Sequence, residues 1–340
     1  MANMNIAKPR FYPDLISYLI ARGTAQNGNF DIEAGTNLLS TFQTGTEADL
    51  FDLRPLNKVS FDTSSNRTSR VKFNINTQGS FKKSFVAILN HNLNSCQGGF
   101  FIASADEIDE LETADFWSGA THIQTTEVVN ADTVNADPYR VDPSTDGSTI
   151  VTFSETNHQY IGIQFQGKFS GNFSSANDLS IGAILVGEYY DMPHAPDMSV
   201  KRSIIYDNNK IQQSLGGQRY GYSTSFGKTY TQSPFSTASN SRDVYGGRIA
   251  YDMNFSYLQN TDAMPNEYDD FEFNDDSFTG DVWNITDGNH RPFIFSVDNS
   301  SAGDNAESEH IFARFDQDTL EMNQSAHNVF NMGISLSEEF

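Results

Sequence analysis

The chain has a single cysteine, Cys96, in 340 residues, so no intrachain disulfide can staple it. With no recognisable base context around it, that cysteine is expected to be a buried or loop thiol rather than a nucleophile. Basic residues are also scarce: 21 Lys and Arg stand against 44 Asp and Glu, a net charge of −23. The shortage is even, with 12 basic and 23 acidic residues in 1–200 and 9 and 21 in 201–340. That balance argues against nucleic acid held by phosphate neutralisation. An evenly acidic surface instead fits solubility or a saline habitat.

Long apolar runs are missing too. None approaches the roughly 20 residues of a membrane-spanning helix, and Met1–Asn5 opens without a basic and then apolar signal stretch. The expectation is a chain made in a cytoplasm, with no membrane insertion.

Catalytic signatures are absent from the sequence. The histidines at 91, 122, 158, 194, 290, 310 and 327 show no zinc-ligand spacing. His91 is expected at a strand end, bonded to backbone. Val244-Tyr245-Gly246-Gly247-Arg248 precedes a strand rather than a helix, so it cannot cradle a phosphate. No pair of carboxylates stands out among 44 as a glycosidase pair. Asn274-Asp275-Asp276 with Asp281 offers calcium-type oxygens without the EF-hand order, which leaves a loop site of another kind open. No catalytic residue, cofactor or metal ligand is assigned.

What the chain does have is rings: 27 Phe and 14 Tyr within a hydrophobic fraction of only 37%. Large rings fill thin sandwich cores economically. Phe85-Val86-Ala87-Ile88-Leu89 runs unbroken to an Asn90-His91-Asn92 stop and reads as a core strand. Tyr160–Phe165 and Ile181–Gly187 have the same character. Ile249, Tyr251, Met253, Phe255 and Tyr257 alternate and give the clearest half-buried strand. Phe293–Val297, Ile311–Phe315 and Val329–Leu336 follow. One helix is expected over Pro13–Gly23, with Leu15, Ile16, Leu19 and Ile20 as its stripe. Ten residues cannot hold a helix alone, so it must dock on its own domain or on a neighbouring subunit.

Short strands broken by turn signals predict an all-β fold of two β-sandwich or jelly-roll-like domains with a short N-terminal helix. Residues 1–49 read as an N-terminal arm, 50–190 as the first sandwich and 199–340 as a second β domain. The junction falls at the Pro193 and Pro196 pair. Ser199–Asp207 reads as extended, with a hairpin turn at Asn208-Asn209.

The stretch 208–242 has Lys210, Arg219, Lys228 and Arg242 and no Asp or Glu, whereas 262–281 has eight acidic residues and no basic one. An unpatterned stretch of this length is unusual inside a compact domain unless it binds something. The candidate contact residues are Arg219, Tyr220, Tyr222, Phe226, Lys228, Tyr230 and Phe235, together with Leu15 and Leu19 of the helix. Rings of this kind serve as low-entropy anchors. The acidic segment of an adjacent copy is the complement, in a head-to-tail homo-oligomer. A solvated loop is the alternative.

Two regions resemble virion proteins of tailed bacteriophages. Phe85–Leu93 (FVAILNHNL) and Ile181–Gly187 (IGAILVG) are similar to strands of the galactose-binding-like jelly-roll modules of phage tail and fibre proteins. Trp283, Arg291–Phe295 (RPFIF), Ile311–Phe315 (IFARF) and Ile334–Glu339 fall in an order similar to the C-terminal part of distal-tail and minor-tail tip proteins. The resemblance covers 85–95, 160–190 and 245–340 and carries over no functional residue. It implies a non-enzymatic structural protein located in the virion, at the tail tip or baseplate. Its partners would be copies of itself and other tail or virion proteins. The alternatives are a module binding a host surface glycan, with the Tyr220–Phe235 rings as platform, a head decoration protein or head fibre, and a glycoside hydrolase.

Overall fold

The computed structural model describes residues 6–22, 32–34, 42–64, 70–77, 81–112, 120–131, 139–168, 172–205, 209–223, 235, 248–265, 276–303 and 306–339. The fold is all-β, with antiparallel sheets and one short helix near the N-terminus. Strand Lys83–His91 is its centre. It pairs with Ala183–Gly187 on one side and Gly147–Thr156 on the other, and Thr125–Val129 completes a four-stranded sheet.

Successive side chains of a strand point to opposite faces. Here both faces are covered. Val86, Ile88, Val151, Ile184 and Val186 pack into one core with Phe73, Phe100, Ile163 and Phe165. Those partners belong to the six-stranded sheet in which Tyr160–Gly167 lies between Gly98–Ala105 and Arg70–Asn76. Phe85, Ala87, Leu89, Ile150 and Leu185 pack the other way, against Tyr12, Ile294 and Phe312.

That second face belongs to an eight-stranded sheet ordered Tyr190–Asp191, Arg10–Tyr12, Phe293–Ser296, His310–Phe315, Val329–Glu338, Arg248–Gln259 and Lys201–Ile205, with Met322–Ala326 also on Val329–Glu338. Its far face carries Phe11, Phe293, Phe295, Phe315, Met253 and Leu336 beneath Phe278 and Val282. Three sheets are therefore stacked. The unbroken apolar run at 85–89 follows from burial on both faces, and the alternation from Ile249 to Phe255 follows from burial on one; Tyr257, expected to continue it, is exposed at φ +67, because the register shifts between Phe255 and Leu258 and Leu258 is buried instead.

The N-terminal arm does not stand apart. Arg10–Tyr12 is an inner strand of the eight-stranded sheet, pairing Arg10 with Asp191 and with Ser296. The helix is shorter than the sequence suggests, Leu15–Ala21, because Asp14 caps it by accepting from Ser17 N at 2.8 Å. Its buried stripe is Leu15, Ile16, Tyr18 and Leu19, with Tyr18 where Ile20 was expected. Ile20 is exposed instead. The other Asp14 oxygen accepts from Val186 N at 3.1 Å and fixes the helix to the central sheet. Ile108–Glu112 forms a second helical turn that buries Leu111.

The two glycines of IGAILVG are required by close approach. A Cβ on Gly187 would lie 2.4 Å from the Pro13 carbonyl oxygen, and one on Gly182 would lie 2.0 Å from that of Pro55. Both obstacles are backbone. Gly187→Ala and Gly182→Ala are each expected to lower stability by about 1–3 kcal/mol through overpacking. Urea unfolding checks this, and an unchanged midpoint in both variants would contradict the packing described.

Candidate functional site

The exposed apolar surface gathers in residues 198–223. Strand Lys201–Ile205 is last in its sheet and pairs only with Arg248–Gln259 among the described residues. Ile204 and Ile205 are exposed on it, as is Met198 before it. An edge strand with open backbone groups and exposed isoleucines is a template for another chain.

The chain then forms a hairpin. Asn209–Gln213 pairs with Arg219–Ser223, with Lys210 opposite Tyr222, Ile211 opposite Gly221 and Gln212 opposite Tyr220. Of the turn expected at Asn208-Asn209, Asn208 lies outside the described residues and Asn209 is on the strand; the turn that joins these two strands is at 214–218. It is closed by Ser214 N to Gln218 O at 2.8 Å and Gly217 N to Ser214 O at 2.9 Å. Gly217 has φ +82, where a side chain would be strained. Two strand-and-turn signals compete here, and the Gly216-Gly217 pair supplies the left-handed residue that the tight return needs.

Among the described residues the hairpin joins no other strand. Ile211 is 72% exposed, Leu215 fully so and Tyr220 57%. Ile211 faces Gly221, which gives it no cross-strand neighbour to cover it. A two-stranded hairpin is marginal in water without a third element against an apolar face.

The sequence-selected contact residues divide. Arg219 and Tyr220 are exposed on the hairpin, and Tyr222 lies on the same strand. Phe226, Lys228 and Tyr230 lie outside the described residues. Phe235, expected in an intermolecular contact, is fully buried with Tyr12, Phe85 and Phe312, its ring 6.0 Å from His310. Leu15 and Leu19 are likewise buried in the chain's own core, so the helix docks within its own chain and offers neither residue to a neighbour. Sequence reading passed over Ile204, Ile205, Ile211 and Leu215. Their one signal was apolar side chains in a stretch with no core periodicity. Of the acidic complement at 262–281, residues 266–275 lie outside the described set, and Asp281 is buried.

The buried ionisable groups are taken up by the fold. His91 accepts from Leu93 N at 3.2 Å through Nδ1 and meets Thr149 Oγ1 at 2.8 Å. Burial, with Lys58 and Lys168 nearby, holds its pKa down to about 3, so it is neutral. The Cys96 Sγ lies 3.5 Å from the Leu93 carbonyl oxygen, and burial pushes its thiol up to about 12. Lys83 donates to the His158 carbonyl at 2.6 Å and is drawn down to about 7 by burial. Among the described residues no group of three or more His, Cys, Asp or Glu converges as a metal site, and no helix is long and apolar enough to cross a membrane.

Glu188 is raised to about 8, first by burial and then by the charge of Asp281, with Lys82 opposing. Between its usual value of 4.5 and 8 the folded chain keeps a proton that the unfolded chain has lost. Stability from this group therefore falls as pH rises through that window, by up to about 1.4 kcal/mol per pH unit. Glu188→Gln removes the titration. The difference in unfolding free energy between variant and parent, followed from pH 5 to 8, should grow in the variant's favour as pH rises. A pH-independent difference would contradict the assignment.

No family model matches the chain, and no curated protein matches it. Among solved structures, one described as "CpGH89CBM32-6 produced by Clostridium perfringens" aligns at 11% identity, over 47% of this chain and 94% of its own length, with a TM-score of 0.26.

Proposed function

We propose that this chain is a non-enzymatic assembly protein that docks through the hairpin Asn209–Ser223 and the adjoining edge strand Lys201–Ile205. The observation that carries it is the hairpin itself, which pairs with no other strand among the described residues and has Ile211 and Leu215 in water. Such an element costs ordering entropy and recovers it only when the apolar side chains are covered. Arg202, Lys210 and Arg219 give this surface a positive character within a chain of net charge −23, while Lys201 is paired with Asp252 at 3.3 Å. A second copy of the same acidic chain, or an acidic neighbour in a larger particle, complements it.

The resemblance at Phe85–Leu93, Ile181–Gly187 and 283–339 supports reading that particle as a tailed-phage virion, with the tail tip or baseplate as the place. Of the Tyr220–Phe235 rings named as a glycan platform, Phe235 is inside the core and does not support that rival reading. The test is to purify the particles of the phage that encodes the chain and label them with gold-tagged antibody. Stoichiometric protein at one end of the tail is expected. Particles lacking it, or label on the head, would overturn the assignment.

A further inference from the structure

The row of buried side chains beneath Phe278 and Val282 is cut off at an open edge. Directly paired residues of antiparallel strands lie on one face of a sheet. Arg202 pairs with Tyr251 and Ile204 with Ile249, so Ile204 continues the row that Ile249, Tyr251 and Met253 bury. Ile249 is 6% exposed and Ile204, one strand further out, is 58% exposed. Among the described residues no strand follows Lys201–Ile205 to cover that isoleucine. An edge of this kind takes an extended segment as an added strand, with backbone hydrogen bonds for affinity and alternate side chains for selection.

The chain holds a segment of fitting chemistry. Residues 266–275, outside the described set, read NEYDDFEFND, with five acidic residues, three rings and no basic residue. Phe271 and Phe273 flank Glu272, so on an extended chain both rings share one face and the carboxylate takes the other. The edge is divided in the same way, with Arg202 and Ile204 on the core side and Lys201, Ser203 and Ile205 on the opposite side. The strand has two cations and no acid, which complements the segment. Lys201 also meets Asp252 at 3.3 Å, in a pair exposed at both ends that water screens.

The segment is too short to serve its own edge. Both of its feet are anchored together, because Thr279 Oγ1 donates to the Ala263 carbonyl at 2.5 Å. Phe278 packs on Phe11 and Tyr190, with centroids 5.4 and 6.0 Å apart, over the Arg10–Tyr12 side of the eight-stranded sheet. From Arg10–Tyr12 to Lys201–Ile205 the sheet order counts five strand spacings, about 24 Å. Going out and back takes about 48 Å before any residue lies along the edge. The eleven residue steps from Pro265 to Asp276 span at most about 40 Å.

We propose that Lys201–Ile205 accepts residues 266–275 of a second copy as an added strand, with Phe271 and Phe273 beside Ile204 and Glu272 on the face of Lys201 and Ser203. Each copy carries one edge and one segment, so the contact is head-to-tail. The proposal rests on the reading that this edge docks a partner, and adds which partner.

A synthetic peptide of residues 265–276 is the probe, titrated by calorimetry into the full chain at a concentration where it sediments as a monomer. Its control is the same peptide with Phe271→Ser and Phe273→Ser, which keeps every acid. Binding with a Kd below about 100 µM is expected. The ring-less peptide, Ile204→Asp in the chain, and about 0.5 M salt should each weaken it at least about tenfold. Ile204 is mostly in water, so Ile204→Asp should unfold at the parent temperature. Amide exchange should slow across Lys201–Ile205 when the peptide binds and stay unchanged in Lys83–His91. No binding up to about 1 mM would overturn the proposal, as would equal binding of the ring-less peptide or unchanged exchange at this edge. If the peptide fails while Ile211→Asp with Leu215→Asp still weakens self-association, the docking reading stands and this occupant is wrong. If neither has an effect, both fail.

Discussion

Replacing Arg10 by methionine is expected to cost the fold about 3 kcal/mol, although no function is assigned to that residue. Arg10 is buried in the strand Arg10–Tyr12. Its Nε and Nη2 donate to the two Asp191 oxygens at 2.6 and 2.9 Å, and its Nη1 donates to Glu127 at 2.7 Å. The guanidinium also lies 4.2 Å from the centre of the Tyr189 ring. Asp191 is in the eight-stranded sheet and Glu127 in the central one, so a single side chain ties two layers together. Removing it leaves two carboxylates facing each other without their counter-charge. Both are partly exposed, which keeps the expected loss toward the lower end of the range for a broken buried pair. Arg10→Lys keeps the charge but not the fork and should recover only part of the loss. Urea midpoints at constant m-value check both variants. A loss below about 1 kcal/mol for methionine would show that the layers hold together without this contact.

The opposite pattern is expected on the hairpin. The double variant Ile211→Asp, Leu215→Asp should leave thermal unfolding within about 0.5 kcal/mol of the parent, because both side chains are in water and outside every core cluster. It should weaken self-association or particle incorporation by about a hundredfold or more, as charges replacing two apolar anchors do. Sedimentation velocity over a dilution series, read beside a thermal melt, separates the two effects. Loss of stability with association intact would place these residues in the fold rather than in an interface.

The sequence made the strands legible because burial writes itself into periodicity. Phe85–Leu89 announces a core strand, and Ile249–Tyr257 announces a half-buried one. What it does not announce is which sheet covers which face. The Arg10–Tyr12 strand was invisible because three residues cannot show an alternation, and its neighbour Asp191 lies 181 residues away. The helix stripe was misread at one member because Ile20 is fully aliphatic while Tyr18 carries a hydroxyl, so the sequence favours the isoleucine. Only docking against the central sheet buries the ring and leaves the isoleucine out.

The exposed hairpin was only partly legible. A cation-rich stretch without core periodicity marks 208–242, yet burial of Phe235 beside Phe85 depends on packing across the whole chain.

The central claim is that the hairpin Asn209–Ser223 is covered by a partner when the protein is assembled. Amide hydrogen exchange over 209–223, compared between the dilute chain and the assembled particle, tests it most directly. Fast exchange in the dilute chain and strong slowing in the particle are predicted, with little change in the already buried strand Lys83–His91. Equally fast exchange of the hairpin in both states would contradict the account.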